Sequence, residues 1–309
     1  MEVAPNMYRE VLACPVCDCQ KGKRVSGLAG SFVCSDVASL LHPEYTIVEC
    51  STCDLYYKSN VFNTETLDEY YAHLDVGTYD QDYGYPTDRE LLKELRRLCV
   101  GGRVLDYGCS TGRVLGMLGE SYHRVGVEVN QEAAKIAVAR GITILDEYEL
   151  FSERCAPFDA IILSDVYEHL LSPMPVVMNL KSKLVPGGKL ILVTGFADSV
   201  ISSAYFGEHW YFRVGGHLQM AGLKHLQWVA EKLGLKVEKM LVMSHYKRVI
   251  LKLLKQNMQA LLYRLVRRPG SKMSSILSRL PVVGRAGQWN NLPATDQRKD
   301  HVFVVFSNE

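Results

Sequence analysis

At 309 residues the chain is about twice the ~150 residues usual for one domain, so a large domain accompanied by a smaller module is expected. Hydrophobic residues make up 48% and charged residues 22%, which excludes a mainly disordered, collagen-like or fibrous chain. Lys and Arg number 35 against 34 Asp and Glu, and a formal charge of +1 gives no electrostatic support to a nucleic-acid partner.

The amino terminus carries no basic segment followed by an apolar one. Apolar runs such as Ala160 to Leu163 and Leu190 to Val193 fall far short of ~18 residues. Neither a secretory signal nor a transmembrane helix is expected, and the chain reads as cytoplasmic. Nine cysteines, odd in number and scattered, then point to metal binding or plain burial rather than a disulfide framework.

Residues 1–55 read as a ribbon module. Cys14 and Cys17 form one Cys-x-x-Cys pair and Cys50 and Cys53 a second, 32 residues apart. Two tight turns offering four thiolates have the number and softness that tetrahedral Zn2+ prefers, so a structural zinc is expected in a ribbon with a long loop. Four buried thiols, or a redox pair, are the alternatives. Cys19, Cys34 and His42 are bystanders in this reading. The β-prone run Tyr45 to Val48 leads into the second pair.

Residues 56–100 form a connector. Seven of the 17 tyrosines fall between Tyr56 and Tyr85. Thr66 and Glu69 have the spacing of a capping box, as do Thr87 and Glu90, and Leu91, Leu92, Leu95 and Leu98 give the second helix one apolar face that Gly101-Gly102 ends. The tyrosines suit a lid over an acceptor, with Tyr79 and Tyr83 as its test positions, or ordinary packing.

From residue 101 to the end, β-type and helical runs alternate. Strands are expected at Arg103 to Tyr107, Arg124 to Val129, Ile142 to Leu145, Phe158 to Leu163 and Lys189 to Thr194, with helices around 112–119, 131–140 and 173–185. A helix at 223–233 precedes a sixth strand, Lys236 to Met243, and a seventh, His301 to Phe306, follows. Such alternation implies right-handed crossovers and a mostly parallel, doubly covered sheet, so the fold class is α/β.

The first of these strands runs into Asp106-Tyr107-Gly108-Cys109-Ser110-Thr111-Gly112. Glycines there let the backbone approach a ligand, and the following helix start offers N–H groups. Glu128, 20 residues beyond Gly108, can accept both hydroxyl protons of a ribose. Asp106 would repel a pyrophosphate but suits an ammonium group, which points to S-adenosylmethionine (SAM).

LDYGCSTGRVL, VGVEVN, FDAIILSDVYEHL and LVPGGKLILV closely resemble, in order and spacing, the motifs of class I SAM-dependent methyltransferases, over roughly residues 100–245 and 300–307. Ser110 stands where the family usually has glycine. The resemblance implies a seven-stranded, mostly parallel Rossmann-like sheet carrying the small N-terminal zinc ribbon. It also implies that Asp106, Gly108, Ser110 and Gly112 line the methionine half of SAM. Glu128 would hold the ribose, Val129 touch adenine, Asp146 face the adenine edge and Asp165 border the methyl group. The ribbon, the connector and the stretch Phe206 to His209, Trp210 and on to His217-Leu218 are similar to methyltransferases found with bacterial sugar and surface-polysaccharide biosynthesis. That likeness implies a sugar or glycan acceptor, nucleotide- or lipid-linked, methylated on a hydroxyl or carbon.

Such an acceptor must lose a proton, and Glu168, His169 and His217 are the candidate catalytic bases, with a loop-and-helix cap as the other reading. His209 and Tyr211 are weaker candidates. Asp165-x-x-Glu168-His169 also resembles the divalent-metal cluster of ubiquinone-biosynthesis O-methyltransferases, so metal-assisted methylation of a quinone-like or other small molecule is an alternative; an RNA-modifying methyltransferase and a non-catalytic SAM-retaining scaffold are others. Finally, residues 245–299 form a basic insertion. From Lys239 to Thr295 there are eleven Lys or Arg and no Asp or Glu, leaving a net −10 elsewhere, which disfavours nucleic acid. Ile250, Leu254, Met258, Leu261 and Leu265 repeat at helical spacing among Lys247, Arg248, Lys252, Lys255, Arg264, Arg267 and Arg268. Over 245–285 this suits an anionic membrane at its inner face or an acidic partner, or else packing on the chain's own domain or a dimer interface.

Overall fold

The computed structural model describes residues 7–30, 41–79, 84–199, 206–247, 249–266 and 299–309. Cys34, Tyr83, Arg248, the side chain of Tyr79 and the basic stretch from Arg264 to residue 298 therefore lie outside the described side chains.

The chain opens with β1 (Tyr8–Glu10), β2 (Gly22–Arg24), β3 (Ile47–Cys50), β4 (Tyr56–Lys58) and β5 (Asn60–Phe62). Three helices follow: α1 (Thr64–Ala72), α2 (Val76–Tyr79) and α3 (Pro86–Leu98). The helix starts differ from those expected. Asn63, not Thr66, caps α1, because its short side-chain carbonyl reaches the Thr66 N–H at 2.9 Å. In α3 the Asp88 carboxylate accepts from the backbone N–H of Tyr85 at 2.9 Å, and Pro86 takes the first helical position, where a missing N–H costs nothing.

The alternating part runs β6 (Arg103–Tyr107), α4 (Arg113–Gly116), β7 (His123–Val127), α5 (Gln131–Ala139), β8 (Thr143–Ile144), α6 (Glu147–Phe151), β9 (Phe158–Ser164), α7 (Pro173–Ser182), β10 (Leu184–Gly195), β11 (Gln219–Met220), α8 (Leu223–Leu233), β12 (Leu235–Met243), α9 (Ile250–Val266) and β13 (His301–Asn308). Seven of these strands make one sheet in the order β12-β13-β10-β9-β6-β7-β8. The pairs β10–β9, β9–β6, β6–β7 and β7–β8 are parallel, whereas β13 runs antiparallel to both neighbours. This is the mostly parallel Rossmann-like sheet anticipated from the alternation. The direction of β13 brings its first residue, His301, to the same edge as the carboxyl ends of β6 and β9.

Side chains alternate across the sheet as the two-residue period demands. Leu105, Ile161, Leu163 and Leu192 face one cluster with Leu226 and Val229 of α8, and Val104, Ile162, Ile191 and Val193 face the other with Leu91 and Leu95 of α3. The ribbon is attached to the first face: Cys14, Cys50 and Cys53 pack in the same cluster as Leu105. A smaller sheet, β11-β4-β3-β2, pairs the ribbon strands with Gln219–Met220 from far along the chain.

The α9 helix forms where the repeat of apolar residues placed it, but Ile250, Leu254, Met258 and Leu261 are exposed, while Gln256 and Ala260 are buried. Among the described residues no helix is long and apolar enough to cross a membrane.

Candidate functional site

The two cysteine pairs fold as matching knuckles. Asp18 N–H donates to the Cys14 carbonyl at 3.0 Å and Asp54 N–H to the Cys50 carbonyl at 3.1 Å, and both aspartates take left-handed φ, +55° and +54°. The turns bring all four sulfurs within 4.8 Å of one another, with Cys14–Cys53 at 3.5 Å and Cys17–Cys50 at 3.4 Å. Tetrahedral zinc with ~2.3 Å bonds wants sulfurs about 3.7 Å apart, so this donor set fits the ion. The hydrogen bond with Cys53 draws Cys14 down to about 6, and the same bond pushes Cys53 up. Cys19 stays outside the cluster, and His42 instead accepts from the buried Lys58 ammonium at 2.8 Å.

From this centre a hydrogen-bond chain leads to the sheet edge. His225 Nδ1–H donates to the Cys53 carbonyl at 2.9 Å, leaving Nε2 to accept from Tyr167 O–H at 2.8 Å. Tyr167 opens a single 3-10 turn, Tyr167–His169, that follows β9.

The glycine-rich loop lies at the same edge. Gly108 and Gly112 have φ of +80° and +74°, and a Cβ at Gly112 would stand 2.0 Å from Ile142 Cδ1 and 3.2 Å from Ala137 Cβ, so a side chain there is strained and must displace Ile142. Ser110 also takes a left-handed φ of +50°, which costs a non-glycine residue about 1–2 kcal/mol. Its N–H is held by Glu128 Oε2 at 2.8 Å, and Glu128 Oε1 accepts from Asn130 N–H at 2.7 Å. Two of the roughly four lone-pair positions on that carboxylate are thus used within the loop. Asp106 is buried on β6, and Val129, expected against adenine, is 68% exposed. Asp146 caps α6 by accepting from Glu149 N–H at 2.7 Å. The helix after the loop is one turn, shorter than expected, so its dipole adds little.

Beyond β9 the Asp-x-x-Glu-His spacing divides between two clusters. Glu168, His169 and His217, the three predicted catalytic residues, do converge, with one ligand atom from each within 4.8 Å of the others. Glu168 is buried and accepts from Thr194 O–H at 2.8 Å and Tyr211 O–H at 2.7 Å, and burial pushes its carboxyl up. His217 Nδ1–H donates to the Tyr211 carbonyl at 2.7 Å, so Nε2 carries the lone pair. Burial first, and His169 second, hold this imidazole well below its usual range. His169 Nδ1 lies 2.9 Å from Tyr71 O–H and 3.0 Å from the Gly216 carbonyl. Asn130 donates to the Tyr71 and Leu74 carbonyls, both at 3.1 Å, so the connector covers this edge through Tyr71.

Asp165 belongs to the second cluster, with His245 and His301. Its φ is +55°, and its carboxylate lies 3.3 Å from His301 Nε2 and 3.9 Å from His245 Nδ1. Although burial works against the charge, these two imidazoles hold the Asp165 carboxyl well below its ordinary range. Sequence reading missed His245, Asp300 and His301. The only available signal was an Asp-His pair at the start of the last strand, which has meaning only once that strand is known to be antiparallel.

A family model described as "Methyltransferase domain" matches residues 79–240, just over half of the chain. The chain is 31% identical over 128 residues to a ubiquinone biosynthesis O-methyltransferase of Xanthomonas oryzae, an alignment covering 35% of this chain and 52% of that protein. It is 30% identical over 140 residues to an uncharacterized Methanocaldococcus jannaschii protein, covering 45% and 65%. The chain thus spans about half to two-thirds of the length of the curated relatives it matches. A chain from the complex of the Haloferax volcanii Trm112 methyltransferase activator with a methyltransferase superposes with a TM-score of 0.50 at 14% identity, covering 78% of this chain and 97% of that one, a likeness of fold. With the motifs, the sheet order and the matched family in agreement, the chain belongs to the methyltransferase-domain family and is a class I SAM-dependent methyltransferase.

Proposed function

We propose that the chain methylates a hydroxyl oxygen of a small, quinone-like or phenolic molecule. The observation that carries this reading is the convergence of His217, His169 and Glu168 beside the glycine loop, because an oxygen acceptor needs a base at that place. Similarity to proteins named for ubiquinone-biosynthesis O-methylation supports it over the sugar or glycan acceptor expected from the ribbon and connector.

The loop suits the cofactor by its donor set: carboxylates at Asp106 and Glu128, backbone opened at Gly108 and Gly112, and an exposed apolar Val129. SAM, when bound, supplies a methyl group on a sulfonium that is already a good leaving group. Asp106, Gly108, Ser110 and Gly112 would hold the methionine half, and Glu128, Val129 and Asp146 the nucleoside. His217 Nε2 takes the acceptor proton, a contribution of about 10²- to 10⁴-fold. Glu168 acts behind it: its carboxylate fixes Tyr211 O–H, and the Tyr211 carbonyl fixes the tautomer of His217. Tyr71 orients His169 from the connector, and zinc at the four cysteines would keep the ribbon seated on the sheet.

A mass-spectrometric screen for SAM-dependent gain of one CH2, run in parallel over catechols, hydroxyquinone precursors and nucleotide sugars, tests the reading. Product from phenolic hydroxyls is expected. Turnover confined to the nucleotide sugars would restore the glycan acceptor and end this one.

A further inference from the structure

We infer that Asp165, His245 and His301 form a second metal site, for a divalent first-row transition ion, at the carboxyl edge of the sheet. Its ligands come from three places: the residue after β9, the segment after β12 and the first residue of β13. A ligand atom from each lies within 4.8 Å of the other two. An ion with bonds of about 2.0–2.1 Å in tetrahedral geometry sets its ligand atoms about 3.3–3.4 Å apart. His301 Nε2 stands 3.3 Å from Asp165 Oδ1, which already matches, and His245 Nδ1 stands 3.9 Å from the other oxygen, Oδ2, about half an ångström long.

The stronger argument is how the donor nitrogens are oriented. His301 Nδ1–H donates to Asp300 Oδ1 at 3.0 Å, which points Nε2 toward Asp165, where an ion replacing its proton would meet the lone pair. The same Asp300 oxygen accepts the backbone N–H of His245 at 3.0 Å. One buried carboxylate therefore orients the His301 ring and anchors the backbone at His245; for His301 this is the carboxylate–histidine arrangement that metal sites use to fix a tautomer and raise ligand basicity. Thr87 Oγ1 lies 3.3 Å from His245 Nδ1, the same nitrogen that faces Asp165. Tyr85 and His301 stack on the two faces of the His245 ring, at 4.1 and 4.6 Å, and hold its plane.

Two nitrogens and one carboxylate oxygen suit Zn2+, Co2+ or Fe2+ better than Mg2+ or Ca2+. Three protein ligands leave a position open, and the Asp165 side chain keeps 29% of its surface exposed at the carboxyl edge of the sheet. An acceptor oxygen bound there would lose its proton more readily. This last role rests on the proposed O-methylation; the ion site itself does not. The neighbouring Glu168 cluster is the weaker candidate because the buried Glu168 already accepts from Thr194 and Tyr211.

The test is Co2+ titration of the metal-stripped full chain, without SAM or acceptor, read by absorption. Binding at the four cysteines gives an intense thiolate-to-cobalt charge-transfer band; the nitrogen–oxygen site gives only ligand-field bands. A further equivalent without thiolate character is expected. It should weaken at least about 100-fold in His301→Ala and His245→Ala, and about 10- to 100-fold in Asp300→Asn, while His169→Ala keeps it. Retention of the thiolate band in each variant shows that the chain is still folded. The inference is overturned if the wild type binds only at the cysteines, as it would if His301 is an imidazolium held between two carboxylates. It is also overturned if the second equivalent survives in both histidine variants or disappears in His169→Ala. None of these readings depends on which acceptor is methylated.

Discussion

The link between the cysteine centre and the sheet edge passes through one buried side chain, His225, and a double-mutant cycle measures it. His225→Leu leaves the Tyr167 hydroxyl and the Cys53 carbonyl without their partners, and all three residues are 0–1% exposed. Two orphaned buried groups at about 1–3 kcal/mol each, offset by about 1–2 kcal/mol from the new leucine, predict a loss centred on roughly 2–3 kcal/mol within limits of about 0–5 kcal/mol. Tyr167→Phe orphans only His225 Nε2, and about 1–3 kcal/mol is expected. The double variant lacks both ends of the Tyr167–His225 bond, so its penalty is counted once, and its loss should fall about 1–2 kcal/mol short of the sum. Urea unfolding at fixed excess free zinc, extrapolated to water, supplies the four stabilities. Because Tyr167 begins the turn that carries Glu168 and His169, turnover of the single variants should fall while SAM affinity stays near that of the wild type. Additivity within about 0.5 kcal/mol would refute the coupling. A loss of SAM binding as large as the loss of turnover would show that the damage is general rather than local to the turn.

Three further outcomes are expected. Glu128→Ala frees the Ser110 and Asn130 N–H groups together with the proposed ribose contact, and isothermal titration should show SAM affinity about 10- to 100-fold lower, the worth of charged hydrogen bonds at ~1.5–3 kcal/mol. If His217 is the base, it must be unprotonated to act. Its affinity for protons is held well below the ordinary 6.5, so the acid limb of the pH–kcat/KM profile should lie below pH 6.5. A limb at or above pH 7, or an unchanged limb in His217→Ala, would remove it from that role. Cys14→Ser removes one of the four clustered sulfurs, three of which are buried in the core, and its zinc content by mass spectrometry should fall together with thermal stability; full zinc occupancy would contradict the four-cysteine centre.

The parts of the site readable in advance are those whose partners lie close in the chain. Gly108, Ser110 and Gly112 sit in one loop, Glu128 follows after one strand–helix–strand step, and Cys14–Cys17 and Cys50–Cys53 each form within a single turn. Helix starts were less legible, because Thr66 and Asn63 are both competent caps and only the entering backbone selects between them. The division of Asp165 from Glu168 and His169 was also hidden. The left-handed φ at Asp165 turns its carboxylate toward the last strand, whereas Glu168 follows in a 3-10 turn and points into the core.

By itself the sequence determined the class of the fold, the position of the glycine-rich loop, the cysteine knuckles and the edge of the sheet that carries the candidate site residues. Each of these follows from hydrophobic period or from spacing across a few tens of residues. Tertiary structure alone decided which distant side chains meet there. Strand β13 inserts antiparallel between β10 and β12, so His301 arrives beside Asp165 across 136 residues, and Gln219–Met220 completes the ribbon sheet from far along the chain. Strand direction and neighbour choice are set by how two apolar faces are covered at once, a property of the whole core that no local pattern contains.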